Sequence, residues 1–99
     1  MSQVIRTDPA ELDIEEIIIN LSRRSTQAAD RAVDEIEQTC NHLARFPKTG
    51  RARGDLAPGL RSKATRGGYV IYFVPTDDGI VVQRVIHGSR RVDSSMFDL

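Results

Sequence analysis

Gly67-Gly68-Tyr69-Val70-Ile71-Tyr72-Phe73-Val74, then Thr76-Asp77-Asp78-Gly79, then Ile80-Val81-Val82-Gln83-Arg84-Val85-Ile86-His87-Gly88, is the stretch from which the fold is read. Residues 69–74 are apolar without alternation, the pattern of a strand buried on both faces, so this strand is expected at the centre of a sheet with covering groups on each side. The Gly67-Gly68 and Thr76–Gly79 turns join it to runs at Leu60–Ala64 and Ile80–Ile86. Short glycine-containing turns between strand-like runs predict an antiparallel meander. Upstream, residues 48–59 contain Gly50, Gly54, Pro58 and Gly59 and read as a loop.

The first half of the chain has helical periodicity. Residues 2–7 read as a short first strand. Asp8-Pro9 then opens a helix, with Asp8 as the expected cap, proline at the first helical position, and Glu11 completing a capping-box-like signature. Ala10, Ile14, Ile17, Ile18 and Leu21 share one face, while Leu12 and Ile19 fall on the far side, where a covering loop is the expectation. Ser22–Ser25 form a tight link, and Ser25 or Thr26 caps a second helix with the stripe Ala29, Ala32, Val33, Ile36, Cys40 and Leu43. Pro47 ends it. The predicted class is α+β: an N-terminal edge strand and an antiparallel two-helix hairpin packed on a small three- to four-stranded antiparallel sheet.

Ninety-nine residues imply one domain, residues 1–99, that buries about 65% of the surface of its extended chain. Net charge is zero, yet residues 1–44 carry nine acids against four bases and residues 45–99 carry ten bases against five acids. A balance of −5 in one half and +5 in the other points to a basic face, met either by an anionic partner or only by solvent. The single cysteine excludes an intramolecular disulfide, and its place in the helical stripe suits a small buried hydrophobe. With neither a signal-peptide pattern nor an apolar run of membrane-spanning length, a soluble cytoplasmic location is expected.

Few residues carry chemistry. Arg61 and Lys63 lie two apart on a strand and project from one face. Arg84 interrupts an apolar strand, where a charge needs a carboxylate, a phosphate or open solvent, and an ion pair with a helical carboxylate leads. By strand parity His87 points away from Arg84, and a bulge or strand end at Ile86-His87 is needed before the two share a site. Arg90 and Arg91 follow Gly88 in a turn able to offer guanidiniums to a phosphate backbone. Two histidines and one cysteine make structural zinc improbable, no glycine-rich loop leads a strand into a helix, and no nucleophile elbow surrounds Ser89, so neither metal nor cofactor is expected.

Asp13-Ile14-Glu15-Glu16-Ile17, then Leu43, Pro47 and Gly50, then Gly59-Leu60-Arg61, Gly68-Tyr69, Tyr72 and Arg84-Val85-Ile86-His87-Gly88 together resemble, in order and spacing, the ParE/RelE superfamily of toxin–antitoxin toxins, and more closely its ParE branch. The resemblance implies the helical hairpin on an antiparallel sheet. It also implies a cognate ParD-like antitoxin that wraps the toxin in a hetero-oligomer, with operator DNA reached only through the antitoxin and no membrane. Two activities occur on this scaffold. ParE-like toxins inhibit DNA gyrase by trapping its cleaved-DNA complex, and RelE-like toxins are ribosome-dependent mRNA endoribonucleases. The nucleases use a Lys/Arg cluster with a Tyr or His near the C-terminus, where this chain has Met96 and Phe97, and often a basic residue after the Gly-Tyr tyrosine, where it has Val70. Neither Met nor Phe transfers a proton. The resemblance therefore favours a non-enzymatic gyrase inhibitor, with the ribosome-dependent endoribonuclease as the alternative should His87 serve as the base. Arg61, Lys63, Arg84, His87, Arg90 and Arg91 are the candidate target-binding residues, and the tail Ser95–Leu99 is either a further docking element or a segment packed back on the sheet.

Overall fold

A computed structural model, which describes residues 2–97, contains one mixed sheet ordered β1-β5-β4-β3-β2. The strands are β1 (Gln3–Arg6), β2 (Arg51–Ala52), β3 (Arg61–Ala64), β4 (Tyr69–Thr76) and β5 (Gly79–His87). Helices α1 (Asp8–Ser22) and α2 (Thr26–Arg45) form the hairpin between β1 and β2. The α+β class and the edge position of the first strand are as expected, and the apolar run forms β4 at the sheet's centre. β1 runs parallel to β5, with Gln3 opposite Gly79 and Arg6 opposite Val82, while every other pairing is antiparallel. Gly79 permits this contact: a Cβ there would lie 1.9 Å from the Gln3 carbonyl oxygen.

Two local expectations are corrected. The first helix is capped by Thr7 rather than Asp8: the Thr7 hydroxyl accepts from the Ala10 N–H at 3.2 Å, and Asp8 is already helical. The Thr7 hydroxyl also donates to the Gln83 carbonyl at 3.0 Å, so long-range pairing decides which neighbouring polar residue becomes the cap. Glu11 therefore sits one position too late for a capping box, and lies 3.8 Å from Arg6 instead. In the second correction, the segment expected as a loop is entered through a short 3₁₀ turn at Pro47–Thr49 and holds β2, which pairs Arg51 with Ser62. Arg61 fastens this segment by donating to the Gly50 carbonyl at 2.6 and 3.1 Å and to the Lys48 carbonyl at 3.2 Å.

Each face of β4 has its own apolar cluster. On the helix side, Ile71 and Phe73 meet Ile80, Val82 and Val85 of β5 and a layer of Ala10, Ile14, Ile17, Ala32, Ile36, Cys40 and Leu43 from the helices. Fully burying each large side chain in such a layer stabilises by about 1.5–3 kcal/mol. On the other face, here the open face, Tyr72 and Ile86 are covered by Ala57, Leu60 and Phe97. The tail thus folds back at Phe97, which is buried and 5.0 Å from the Tyr72 ring, rather than standing free for docking; Asp98 and Leu99 lie outside the described residues. No loop covers Leu12 or Ile19, which are 63% and 55% exposed. Among the described residues, no helix is long and apolar enough to cross a membrane.

Burial pushes the Cys40 thiol up from its ordinary 9.0 to about 11, against the opposing pull of Arg6. Between these values the unfolded chain loses the proton and the folded chain keeps it, so this contribution is complete below pH 9 and is lost as pH rises towards 11. The loss amounts to about 2–3 kcal/mol, at roughly 1.4 kcal/mol per pH unit. Denaturant titrations across this range should show a steeper fall for the native sequence than for Cys40→Ala, and near neutral pH a thiol reagent should modify Cys40 only as fast as the chain unfolds.

Candidate target-binding surface

The register of β5 decides which side chains share a surface. Tyr72 lies opposite Arg84 and Phe73 opposite Val82, which leaves Gln83 as an extra residue without a partner on β4. Strict alternation from Val82, which faces the helices, would send Val85 and His87 to the open face. The extra residue reverses this: Val85 joins the helix-side core and Ile86 the open-face cluster. His87 accordingly faces the helix side, opposite Tyr69, with ring centroids 5.3 Å apart and nearly perpendicular. A bulge exists, but it precedes Arg84 and so does not bring Arg84 and His87 together.

Arg84 is held by α1. Its Nε and Nη2 donate to the two carboxylate oxygens of Asp13 at 2.7 and 2.9 Å, a bidentate pair with both partners largely buried. The same carboxylate accepts from the Val85 N–H at 3.0 Å. β1 ends opposite Val82, so the β5 edge beyond it lacks a neighbouring strand, and Asp13 supplies the missing acceptor. The hydrogen bonds to Asp13 raise the Arg84 pKa above its already high value, fixing the charge. The expected helical carboxylate is therefore Asp13, and the Arg84 guanidinium is taken up inside the fold.

His87 lines a groove of about 230 Å³ with Asp13, Glu16, Asn20, Tyr69 and Arg90. Its Nδ1 lies 2.7 Å from the Ser89 hydroxyl. Two carboxylates and a single guanidinium make this groove electrically mixed, and His87 also lines an adjoining cleft of about 300 Å³ with Arg24, Arg31 and Glu35, which is mixed as well. Arg61 and Lys63 pair with Phe73 and Ile71, which places them on the helix side of the β3 edge; Arg61 is engaged with backbone carbonyls, whereas Lys63 is exposed. Arg91 is exposed and lines neither this groove nor the concavity on the other face.

The open face holds a second concavity, about 480 Å³, lined by Arg51, Arg53, Lys63, Val70, Tyr72 and Arg90 among others, with no carboxylate in its wall. Arg51 and Arg53 are two apart, opposite Ser62 and beside Leu60, and so project to one face. Asp55 holds Arg53 through hydrogen bonds of 3.1 and 3.0 Å, with the Arg53 guanidinium 5.8 Å from the Tyr72 ring centroid. These hydrogen bonds raise the Arg53 pKa and lower that of Asp55. Sequence reasoning missed Arg51 and Arg53 because they fell in a presumed loop. The alternation Arg51-Ala52-Arg53 was the available signal. Among the described residues, no three His, Cys, Asp or Glu side chains gather where a metal ion would fit.

Residues 4–92 match the family model described as "ParE toxin of type II toxin-antitoxin system, parDE". The chain belongs to the ParE toxin family. It is 32% identical over 89 residues to Toxin ParE3 of Caulobacter vibrioides, covering 89% of this chain and 88% of that one. Against Toxin ParE1 of Mycobacterium tuberculosis the identity is 27% over 97 residues, covering 96% and 98%. Among solved structures, the chromosomal ParDE system from P. aeruginosa superposes with a TM-score of 0.73 at 20% identity, covering 88% of this chain and 96% of that one, a likeness of fold. Within this ParE-family fold, Asp13 is the structural anchor of the sheet's end. Removing one partner of such a pair strands a buried charge, so Asp13→Ala should cost about 3 kcal/mol in denaturant unfolding. Arg84→Met, which leaves Asp13 bonded to the Val85 N–H, should cost less, and a double-mutant cycle should give a coupling of about 1 kcal/mol or more.

Proposed function

We propose that this ParE-family chain is the toxin of a type II toxin–antitoxin pair, that it inhibits DNA gyrase by trapping the cleaved-DNA complex, and that it performs no bond-breaking chemistry itself. One observation carries the reading: His87 faces the helix-side groove, while the carboxylate-free basic concavity lies on the open face. RNA cleavage through a 2′-hydroxyl requires a proton-transferring group and cations around one phosphate. In the basic concavity the lining groups are Arg, Lys, Ser, Thr and a buried Tyr72, with no imidazole or carboxylate. Arg84, the other basic residue on β5, is occupied by Asp13. Arg90 lines both surfaces, but the His87 groove also holds the Asp13 and Glu16 carboxylates. This separation of the imidazole from Arg51, Arg53 and Lys63 favours binding over catalysis, and membership of the ParE family favours gyrase over the ribosome as the target.

The partner we propose is a cognate ParD-like antitoxin that holds the toxin in a hetero-oligomer and alone contacts operator DNA. The P. aeruginosa structure that shares this fold is that of a ParDE toxin–antitoxin system, which supports such a pairing. A partner that binds only the folded toxin stabilises it by mass action. The exposed Leu12 and Ile19 show that the small core leaves apolar surface outside itself.

Purified toxin added to gyrase and supercoiled plasmid should accumulate cleaved DNA at micromolar concentration, and His87→Ala should retain that effect within about twofold, as expected of an exposed site outside the contact face. In a translating extract, transcripts should stay intact. Transcript cutting that disappears in His87→Ala, with no gyrase effect, would replace this reading with the endoribonuclease one.

A further inference from the structure

We infer that the open sheet face is a duplex-DNA contact surface that grips the phosphate backbone through Arg51 and Arg90, with Lys63, which leaves the helix side of the β3 edge, adding charge only at the rim. The inference rests on the gyrase reading and adds that the toxin touches the DNA as well as the enzyme. Arg51, Lys63 and Arg90 line the concavity of about 480 Å³, and none is in a salt bridge among the described residues. Arg53 stands behind them, held by Asp55, so it adds a guanidinium edge but little net charge. No carboxylate lines the wall itself, and Asp55 next to it is taken up by Arg53, so unpaired positive charge predominates there. Guanidiniums on such a wall match phosphate oxygens by bidentate hydrogen bonding.

The kind of anion follows from what the face lacks. Proteins that bind single strands stack successive bases on exposed aromatic rings. On this face the described rings are Tyr72 and Phe97, only 4% and 6% exposed and packed on one another, with Arg53 over Tyr72. No ring is left for an unpaired base. Phosphate contacts fix position and carry no sequence information, and a duplex presents phosphates at high density with its bases already stacked. The surface therefore fits a duplex read by its backbone and disfavours single-stranded RNA. In a cleaved-DNA complex, such contacts hold the toxin on a duplex whatever its sequence.

Fluorescence anisotropy of the full-length toxin with a labelled duplex, and with single-stranded RNA of equal length, tests this. We expect tighter binding to the duplex. The logarithm of the affinity should fall linearly with the logarithm of salt concentration, with a slope of about −1.8 for two phosphate contacts. Arg51→Glu combined with Arg90→Glu should weaken duplex binding at least about tenfold and remove most of that slope. Lys63→Glu should do so to a smaller degree, and Arg24→Glu, exposed at the hairpin turn, should change neither. Unchanged thermal melts show that each variant is folded. Salt-independent or absent duplex binding, preference for the single strand, or wild-type affinity in the double variant overturns the inference. The gyrase cleavage assay separates the two readings. If the native toxin does not trap cleaved DNA, the parent reading fails. If it does and the double variant traps with undiminished potency, the DNA contact alone fails.

Discussion

Asp13 is a carboxylate buried on the inner face of α1 beside Ala10, Ile14 and Ile17, and the end of the sheet depends on what it receives. β5 extends five residues past its last pairing with β1, so one edge of its second half has no neighbouring strand. An unpaired buried N–H costs about as much as a lost hydrogen bond. The Asp13 carboxylate removes that cost at Val85 and binds the Arg84 guanidinium at the same time. It thereby ties α1 to β5 by directional bonds, whereas most of the remaining contact is apolar packing, whose attraction is non-directional. A buried ion pair is seldom a large net gain over apolar contacts, but breaking one is costly, so the pair specifies helix position more than it adds stability.

The bulge at Gln83 and the Asp13 pair work together. A residue inserted in one strand reverses every side chain beyond it. Here the reversal seats Val85 in the helix-side core and carries His87 to the same side, towards Tyr69 and the carboxylates of α1. The cations of β2 and the turn after β5 remain around the open face. One extra residue thus separates the imidazole from the basic concavity. Regular alternation would have put His87 on the open face with them.

Much of this was legible from the chain. Both-sided apolarity in Tyr69–Val74 placed the central strand, stripe spacing gave both helices, and a lone arginine among β-branched residues announced an ion pair with the helical layer. Three features were not legible, for separate physical reasons. The choice of Thr7 over Asp8 as cap depends on a hydrogen bond to Gln83, far away in sequence. β2 is two residues long and held by Arg61 from the next strand, so local propensity carries almost no signal for it. The bulge leaves no mark of its own, since Val81 to Ile86 reads equally well in either register until β4 is aligned beside it. Because Arg51 and Arg53 lie on the second feature and His87 beyond the third, the open-face cations went unseen, and the side on which His87 lies became clear only with the register.

The opposite charge of the two halves of the sequence acquires a direction once folded. Acidic residues outnumber bases in the half that builds the hairpin, and bases outnumber acids in the half that supplies β2–β5 and the turn after them. Since the hairpin covers only one face of the sheet, most of the acids lie on that side, while Arg51, Arg53 and Arg90 stand around the open face with no carboxylate in the concavity wall. A polyanion within about a Debye length would be drawn to those open-face cations before contact. The helical layer is then left pointing outward, with Leu12 and Ile19 accessible on its surface. A protein partner that engages the hairpin and a polyanion that engages the sheet would therefore approach from opposite sides, and competition between them would require the partner to reach around the β2 edge, where Arg51 and Arg53 stand.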